Sequence, residues 1–170
     1  MVVEVRREIH ASAEMVWGVV SDITRMGEWS AETYRCEWNE GQSPGLGATF
    51  TGYNRYGEVE WSNQATICEW VPGERLAWEV RVTGRAAERF GSGPLTRWGF
   101  AIEGGGSGGD TGDDTVVLVQ TAEDMRPDDL KAYGAKLLPE IADRVKRNTE
   151  TMEATLAAIA EECGRSTGAE

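Results

Sequence analysis

The chain has 170 residues, enough for one domain with a substantial hydrophobic core. Its 17 basic and 29 acidic residues give a net charge of −12, which argues against nucleic acid or an anionic membrane surface as the main partner. No apolar run is long enough to cross a bilayer, and no signal peptide begins the chain. The three cysteines are odd in number and widely spaced, so they form neither a metal motif nor a disulfide framework. We therefore predict a cytoplasmic protein without integral membrane association, either a monomer or a homodimer.

The amino-terminal segment predicts one strand followed by two short helices. Apolar and charged residues alternate over residues 3–9, as in a strand with one buried face. Ser12 is a favourable N-cap, and Glu14 lies in the first helical turn, where its charge suits the helix dipole. Polar residues and Gly27 interrupt the apolar face that follows, so we expect two short helices joined by a bend.

Period-two alternation then predicts six consecutive strands. They fall at residues 34–38, 48–56, 59–67, 76–82, 98–102 and 117–120. Turn residues at Gly57 and at residues 72–73 separate several of these segments. Consecutive strands joined by short turns favour an antiparallel meander.

Two connections between these strands are longer than a hairpin requires. Residues 84–94 either fold over the mouth of a cavity or form a plain surface loop. Residues 104–114 are glycine-rich and acidic and contain no apolar side chain. We predict that this second segment is a flexible, solvent-facing loop without a role of its own.

The last long segment, residues 139–163, predicts an amphipathic helix. Pro139 suits the first turn and Gly164 suits the stop, with residues 164–170 as a frayed tail. The expected buried stripe consists of Ile141, Val145, Met152, Leu156 and Ile159. The opposite, solvent-facing side is expected to carry Glu140, Asp143, Arg144, Lys146, Arg147, Glu150 and Glu153. A helix of this length has to bury its stripe against a broad surface, which the preceding strands supply.

Five short stretches carry a resemblance to a known family. They are residues 11–17 (ASAEMVW), 26–30 (MGEWS), 72–78 (PGERLAW), 96–100 (TRWGF) and 152–156 (MEATL). With the order of elements, they resemble the START-like proteins of the SRPBCC superfamily, in the polyketide cyclase/dehydrase and lipid-transport group. The resemblance covers nearly the whole chain. The family usually has a tight turn between its sixth and seventh strands, where this chain has the glycine-rich segment as a tolerated insertion.

The resemblance implies an α+β helix-grip fold, with residues 1–170 as a single START-like domain. A seven-stranded curved antiparallel sheet would wrap around the long C-terminal helix, with two short helices after the first strand. An elongated cavity would lie between the sheet and the helix. Family members bind hydrophobic or amphipathic small molecules there, and some use the cavity for aromatase, cyclase or hydrolytic chemistry.

A predicted set of ligand-binding residues follows from placing the more apolar side of each strand inward. The set is Trp29, Phe50, Tyr56, Trp61, Asn63, Trp78, Trp98, Phe100, Leu138, Ile141 and Val145. An aromatic lining suits a flat apolar ligand, whereas the alternative is that the rings simply fill the space. Asn63 interrupts the apolar series, as do Asn54, Asn148, Thr96 and Thr121, and a buried polar group needs a partner from the protein, water or a ligand.

Titratable residues point only weakly to catalysis. His10 is the only histidine and is expected in an exposed turn, while Glu123 falls in the expected inward phase of the last strand. Tyr53 and Tyr56 are the other candidates, and the sequence offers no support for a catalytic triad, a metal or a cofactor. We therefore interpret the chain as a binding protein for a lipid- or polyketide-like small molecule. A polyketide aromatase/cyclase or dehydratase using the same cavity is the first alternative, and a protein-interaction module is the second.

Overall fold

The sheet contains seven antiparallel strands. A computed structural model describes residues 1–104, 114–137, 139 and 143–167. The strands are β1 (Val2–Ile9), β2 (Thr33–Trp38), β3 (Thr49–Tyr56), β4 (Val59–Val71), β5 (Arg75–Arg81), β6 (Pro94–Glu103) and β7 (Val116–Asp124). Their order across the sheet is β1-β7-β6-β5-β4-β3-β2, which confirms the meander from β2 to β7 and adds β1 at the edge beside β7.

The two short helices predicted after β1 are present. Helix α1 (Ala13–Ser21) begins at the Ser12 cap, whose Oγ accepts a hydrogen bond from the backbone N–H of Met15 at 3.2 Å. A 3-10 turn (Ile23–Arg25) and helix α2 (Met26–Trp29) follow. An added Cβ at Gly27 would lie 2.3 Å from the carbonyl oxygen of Tyr34, so α2 approaches β2 at a distance that only glycine allows.

Two further helices are missing from the sequence prediction. Helix α3 (Gly84–Phe90) lies in the connection that we interpreted as a loop, and helix α4 (Asp128–Leu137) follows β7. Pro127 precedes α4, and Asp128 and Asp129 occupy its first turn, where proline and acidic residues favour a helix start. This signal was present in the sequence and was overlooked.

Helix α5 (Arg144–Thr167) packs against β1, β7, α1 and α2. Met152, Leu156 and Ile159 are fully buried, as predicted. Val145 is 43% exposed, so its assignment to the buried stripe is wrong. The expected stop at Gly164 is also wrong, because the helix continues to Thr167. The helix was expected to begin at Pro139, but α5 begins at Arg144. Ile141 and residues 168–170 of the expected tail lie outside the described residues.

The inward side of β7 differs from the prediction. Leu118, Gln120 and Ala122 are buried on the face of β7 that points to the core, whereas Glu123 is exposed. Thr121 lies on the other face, where its Oγ1 would contact a Cβ at Gly99. Val119, on the outer face of β7, is buried as well. Apolar residues therefore occur on both faces of this strand, and their alternation does not indicate which face points inward.

The described part of the chain contains no helix that is long and apolar enough to span a membrane. The glycine-rich loop predicted at residues 104–114 lies outside the described residues, apart from its two ends. Together, the curved antiparallel sheet, the long C-terminal helix and the short helices after β1 form the predicted helix-grip fold.

Candidate functional site

Aromatic rings fill most of the space between the sheet and the carboxyl-terminal part of α5. The rings form a chain of contacts with centroid distances of 5.9 Å for Trp29–Phe100, 5.9 Å for Phe100–Trp78, 6.1 Å for Trp78–Phe50 and 5.8 Å for Phe50–Trp38. Edge-to-face and tilted pairs at these distances are favourable packing arrangements. Most of the aromatic residues predicted to line a cavity therefore pack against one another.

A small inner cavity remains among these rings, with a volume of about 70 Å³. A benzene ring needs a cavity of roughly 150 Å³, so the inner cavity by itself has room only for a small group. Besides Glu32, whose Oε2 forms an ion pair with Arg147 Nε at 3.3 Å, two of its lining residues hold buried polar atoms without a hydrogen-bond partner among the described residues: Nε1 of Trp29 and Oε1 of Gln120. One is a donor and the other an acceptor, so the inner cavity offers complementary sites to a polar group.

A larger outer cavity of about 420 Å³ continues from the inner one. Glu32, Asn63, Val80 and Trp98 line both. The outer cavity is also lined by Trp61, Ser62, Arg81, Val82, Thr83, Leu95, Thr96, Arg126, Leu130, Lys131, Gly134, Ala135, Arg144 and Arg147. Its volume falls within the range of about 300–1,000 Å³ that is typical of small-molecule sites. Helix α4, which was not predicted, supplies one wall.

Charged side chains meet in this outer cavity. Arg147 Nε lies 3.3 Å from Glu32 Oε2, and both side chains are largely buried. Arg144 Nη2 donates to Thr96 Oγ1 at 2.6 Å, and its Nη1 lies 3.9 Å from Asp124 Oδ1. The Arg126 guanidinium donates to both carboxylate oxygens of Asp124, at 2.9 and 2.7 Å. Such a bidentate pair fixes both side chains.

The surroundings shift three pKa values in this cluster. Burial tends to raise the pKa of Asp124, but the Arg126 hydrogen bonds and the Arg144 charge outweigh it and lower the pKa to about 2. Burial and then the neighbouring Arg126 charge lower the pKa of Arg144 to about 10. Burial raises the pKa of Glu32, and the charges of Arg147 and Arg144 oppose that rise. The cluster thus keeps Asp124 ionised and makes the charged forms of Arg144 and Glu32 less favourable than in water.

The sequence prediction placed Arg144 and Arg147 on the solvent-facing side of the last helix, which is wrong. Arg147 is 5% exposed, and Asn148 and Thr155 are also buried on this side of α5. The amino-terminal turns of α5 face the cavity, so polar residues are accommodated there. Arg147 also lies 5.6 Å from the ring centroid of Trp61, close enough for a cation–π interaction.

The structure brings most of the predicted ligand-binding residues to the two cavities. Trp29, Phe50, Trp78 and Phe100 line the inner cavity, Trp61 lines the outer one, and Asn63 and Trp98 line both. The Asn63 amide is satisfied when its oxygen faces Trp61 Nε1 at 3.2 Å and its nitrogen faces the Ser62 carbonyl at 3.1 Å. A role of these residues in ligand binding stays a prediction.

Other predicted binding residues lie elsewhere. Tyr56 lines neither cavity, and its hydroxyl lies 3.4 Å from Glu150 Oε2. Val145 is exposed, while Leu138 and Ile141 lie outside the described residues. The inward polar residues Asn54 and Thr96 both have protein partners, since Thr33 Oγ1 donates to Asn54 Oδ1 at 2.7 Å and Arg144 donates to Thr96.

The four residues considered for catalysis, His10, Glu123, Tyr53 and Tyr56, line neither cavity. His10 is exposed, with Nδ1 3.1 Å from Thr115 Oγ1. The Tyr53 hydroxyl donates to Glu37 at 3.1 Å in an exposed pair, and Glu123 is exposed, which corrects its expected inward phase. The carboxyl group that does lie at the cavities is Glu32, between α2 and β2, where the sequence has no periodic signal. Within the described ranges, no three His, Cys, Asp or Glu side chains are grouped so that they could hold a metal ion.

Solved structures share this architecture. The Polyketide_cyc-like protein Cgl2372 from Corynebacterium glutamicum is 26% identical, with 92% of this chain and 88% of that chain covered and a TM-score of 0.53. A point mutant of norcoclaurine synthase from Thalictrum flavum, in complex with a transition-state analogue, is 14% identical over 98% of this chain and 96% of that chain, with a TM-score of 0.64. The di-domain ARO/CYC StfQ from the steffimycin biosynthetic pathway is 10% identical, with coverage of 99% and 52% and a TM-score of 0.66.

The last two likenesses are too distant in sequence to show more than a shared fold. No protein of curated function matches the sequence significantly. A family model described as polyketide cyclase / dehydrase and lipid transport matches residues 1–163, which is nearly the whole chain. The resemblance inferred from the five sequence stretches is thereby confirmed, and the chain belongs to the polyketide cyclase/dehydrase and lipid transport family.

Proposed function

We propose that this protein binds a hydrophobic or aromatic small molecule, lipid- or polyketide-like, in the outer cavity between the sheet, α4 and α5. The observation that carries the proposal is the 420 Å³ volume, which continues into the inner cavity. Trp61, Leu95, Trp98 and Leu130 contribute apolar walls. The body of the ligand would contact these walls, and only a small substituent would enter the inner cavity.

The family supports a function of this kind, since its description includes polyketide cyclases and lipid transport. Norcoclaurine synthase, which shares the fold, is solved in complex with dopamine and hydroxybenzaldehyde, and the ARO/CYC StfQ, which also shares it, comes from the steffimycin biosynthetic pathway. These likenesses support a small-molecule cavity and leave the particular ligand open. The residues on the walls of this chain therefore decide which ligand fits.

A fluorescence titration with N-phenyl-1-naphthylamine, a neutral apolar probe, tests the proposal. Ala135 is exposed on α4 and lines the outer cavity, whereas Ala132 is exposed on the same helix and lines neither cavity. We expect Ala135→Trp to occupy the cavity mouth and weaken probe binding roughly tenfold, about 1.4 kcal/mol. Ala132→Trp, the matched control, is expected to bind like the original protein. An absence of probe binding at micromolar concentration, or equal binding by the two variants, would contradict the proposal.

Native and denaturing mass spectrometry of the purified protein provides an independent measurement. A stoichiometric apolar molecule that is released on denaturation and displaced by the probe would support binding in the cavity. A co-purifying molecule that stays bound at the same occupancy in excess probe would indicate a binding site other than the outer cavity.

An enzymatic function, as a polyketide aromatase/cyclase or dehydratase, is the second candidate because of Glu32. This carboxyl group is buried, lines both cavities and has a raised pKa. A carboxylate of this kind is suited to take a proton from a carbon next to a ketone and to return it to the oxygen that leaves as water. Glu32→Gln is expected to abolish turnover of a poly-β-ketone while the probe still binds. Turnover that survives this substitution would contradict a catalytic role for Glu32.

A further inference from the structure

The outer cavity differs in charge from the protein as a whole. The chain carries a net charge of −12, yet the described lining of this cavity includes four arginines and a lysine against one carboxylate, Glu32. Arg81 and Lys131 contribute at its exposed side, and Arg126, Arg144 and Arg147 contribute from within. A positive cavity in an acidic protein raises the local concentration of small anions relative to the surrounding surface.

Of the three arginines that line the cavity from within, Arg144 has the longest ion-pair distance, 3.9 Å, against 2.7 Å for Arg126 and 3.3 Å for Arg147. Its Nη2 donates to a neutral hydroxyl, that of Thr96, and its Nη1 lies 3.9 Å from the Asp124 carboxylate. Asp124 is already engaged by two of the three guanidinium nitrogens of Arg126, Nε and Nη2. Arg144 Nε is buried and has no hydrogen-bond partner among the described residues. A buried guanidinium normally has its donors satisfied, because leaving them unpaired costs free energy.

A purely structural role for Arg144, as a brace for Thr96, explains one of its donors, and the Asp124 carboxylate 3.9 Å from Nη1 compensates its charge only in part. Burial and the adjacent Arg126 charge lower the pKa of Arg144, which shows that its surroundings disfavour the charged form. An arginine remains protonated even so. An anion bound beside Arg144 would stabilise its charged form. The two parallel N–H donors of a guanidinium pair well with a planar carboxylate.

We propose that the ligand of the outer cavity is an amphipathic carboxylic acid, with its carboxylate at Arg144 and Arg126 and its apolar body against Trp61, Trp98 and Leu130. This inference rests on the proposed function and specifies its ligand class. A carboxylate carries one negative charge, which would balance the single, only partly compensated positive charge of Arg144. A dianionic phosphate would bring excess negative charge next to Asp124 and Glu32.

The test compares 1-naphthylacetic acid with its neutral amide, each displacing N-phenyl-1-naphthylamine at pH 7.5. The two ligands have the same rings and differ in charge. We expect the acid to bind roughly tenfold more tightly than the amide, as for a charge-assisted hydrogen bond in a partly buried site. In Arg144→Gln the ratio is expected to fall to about one while the neutral probe still binds, and this binding also shows that the variant is folded.

One control variant, one second test variant and one further ligand sharpen the result. Arg97 lies on the outer face of β6 beside Glu69, so Arg97→Gln is expected to leave the acid-to-amide ratio unchanged. Should Arg144→Gln lose its fold, Arg126→Gln is the second variant, also expected to reduce the ratio. The naphthylmethyl phosphonate is expected to bind more weakly than the carboxylic acid, and tighter binding of the phosphonate would overturn the choice of a carboxylate.

The outcomes separate the two proposals. Failure of the neutral probe, the amide and the acid to bind would overturn the proposed function itself. Binding of the probe with equal affinities for acid and amide, or an acid preference that survives both arginine substitutions, would overturn only the carboxylate inference.

Discussion

The two ends of α5 face the same sheet in different ways. Toward its carboxyl terminus, Leu156, Ile159 and Cys163 have no solvent exposure and pack into a closed core. Toward its amino terminus, Arg144 and Arg147 face the outer cavity and pair with Asp124 and Glu32. One helix therefore serves as core at one end and as the wall of a site at the other. Charged residues are tolerated at the second end because carboxylates and space for water or a ligand are available there.

The closed end should respond most strongly to a loss of volume. Leu156→Ala removes buried methyl groups from a packed core that can relax only in part, and we expect it to lower the free energy of unfolding by about 3–5 kcal/mol. Val145→Ala, on the same helix but exposed, should cost less than about 0.5 kcal/mol. Urea denaturation measures both. Similar losses for the two variants would mean that the two ends of α5 do not differ in packing.

At the cavity end, the buried ion pair should be the most sensitive element. Arg147→Met leaves the Glu32 carboxylate buried without the cation 3.3 Å away, and we expect a loss of about 3 kcal/mol in unfolding free energy at pH 7. The raised pKa of Glu32 would rise further, so protonation at lower pH should recover part of the loss. Denaturation at pH 7 and pH 5 measures this. A loss that is independent of pH would indicate that packing, rather than the Glu32 charge, is responsible.

Asp124 should give a smaller effect with the opposite dependence on pH. Its pKa of about 2 in the folded protein lies below the ordinary value of 3.8, so its ionised form stabilises the fold above about pH 4, and this contribution is lost as the pH falls toward 2. The shift corresponds to about 2 kcal/mol. We expect Asp124→Asn to be less stable than the original protein by roughly that amount at pH 7, with the difference shrinking below pH 4.

Glu123→Gln is the matched control for this measurement, because Glu123 is the adjacent residue and its side chain is exposed. It should change the unfolding free energy by less than about 0.5 kcal/mol at any of these pH values. A difference between Asp124→Asn and the original protein that stays constant from pH 7 to pH 3 would contradict the electrostatic account of the Arg126–Asp124–Arg144 cluster.

The elements that were predicted correctly have strong local signals. Alternation of apolar and polar residues identified the seven strands, and the Ser12 cap marked the start of α1. The stripe of Met152, Leu156 and Ile159 identified the buried side of the last helix in its packed half. These features depend on neighbours in the sequence, and most of the fold could therefore be inferred without coordinates.

The site was predicted less well because its properties depend on distances between elements. Trp78 and Phe100 were placed on the correct side of the sheet, but only their centroid separation of 5.9 Å shows that they pack against each other instead of enclosing a large cavity. Glu32 has no periodic pattern around it, so its position at both cavities could not be inferred. Helix α4 lines the outer cavity, and its Tyr133 ring packs against Phe90 of α3 with ring centroids 5.1 Å apart, a contact that the sequence does not reveal.

The sequence by itself determined the seven strands, the two short helices after β1 and the buried stripe in the packed half of α5, because hydrophobic periodicity and capping are local properties. The tertiary structure decided which side of β7 faces inward, since Val119 and Leu118 are both buried and the pattern has no preference. It also decided that Arg144 and Arg147 belong to a cavity. On a helical wheel they look like a solvated face, and only their placement at the outer cavity, beside Glu32 and Asp124, removes them from water.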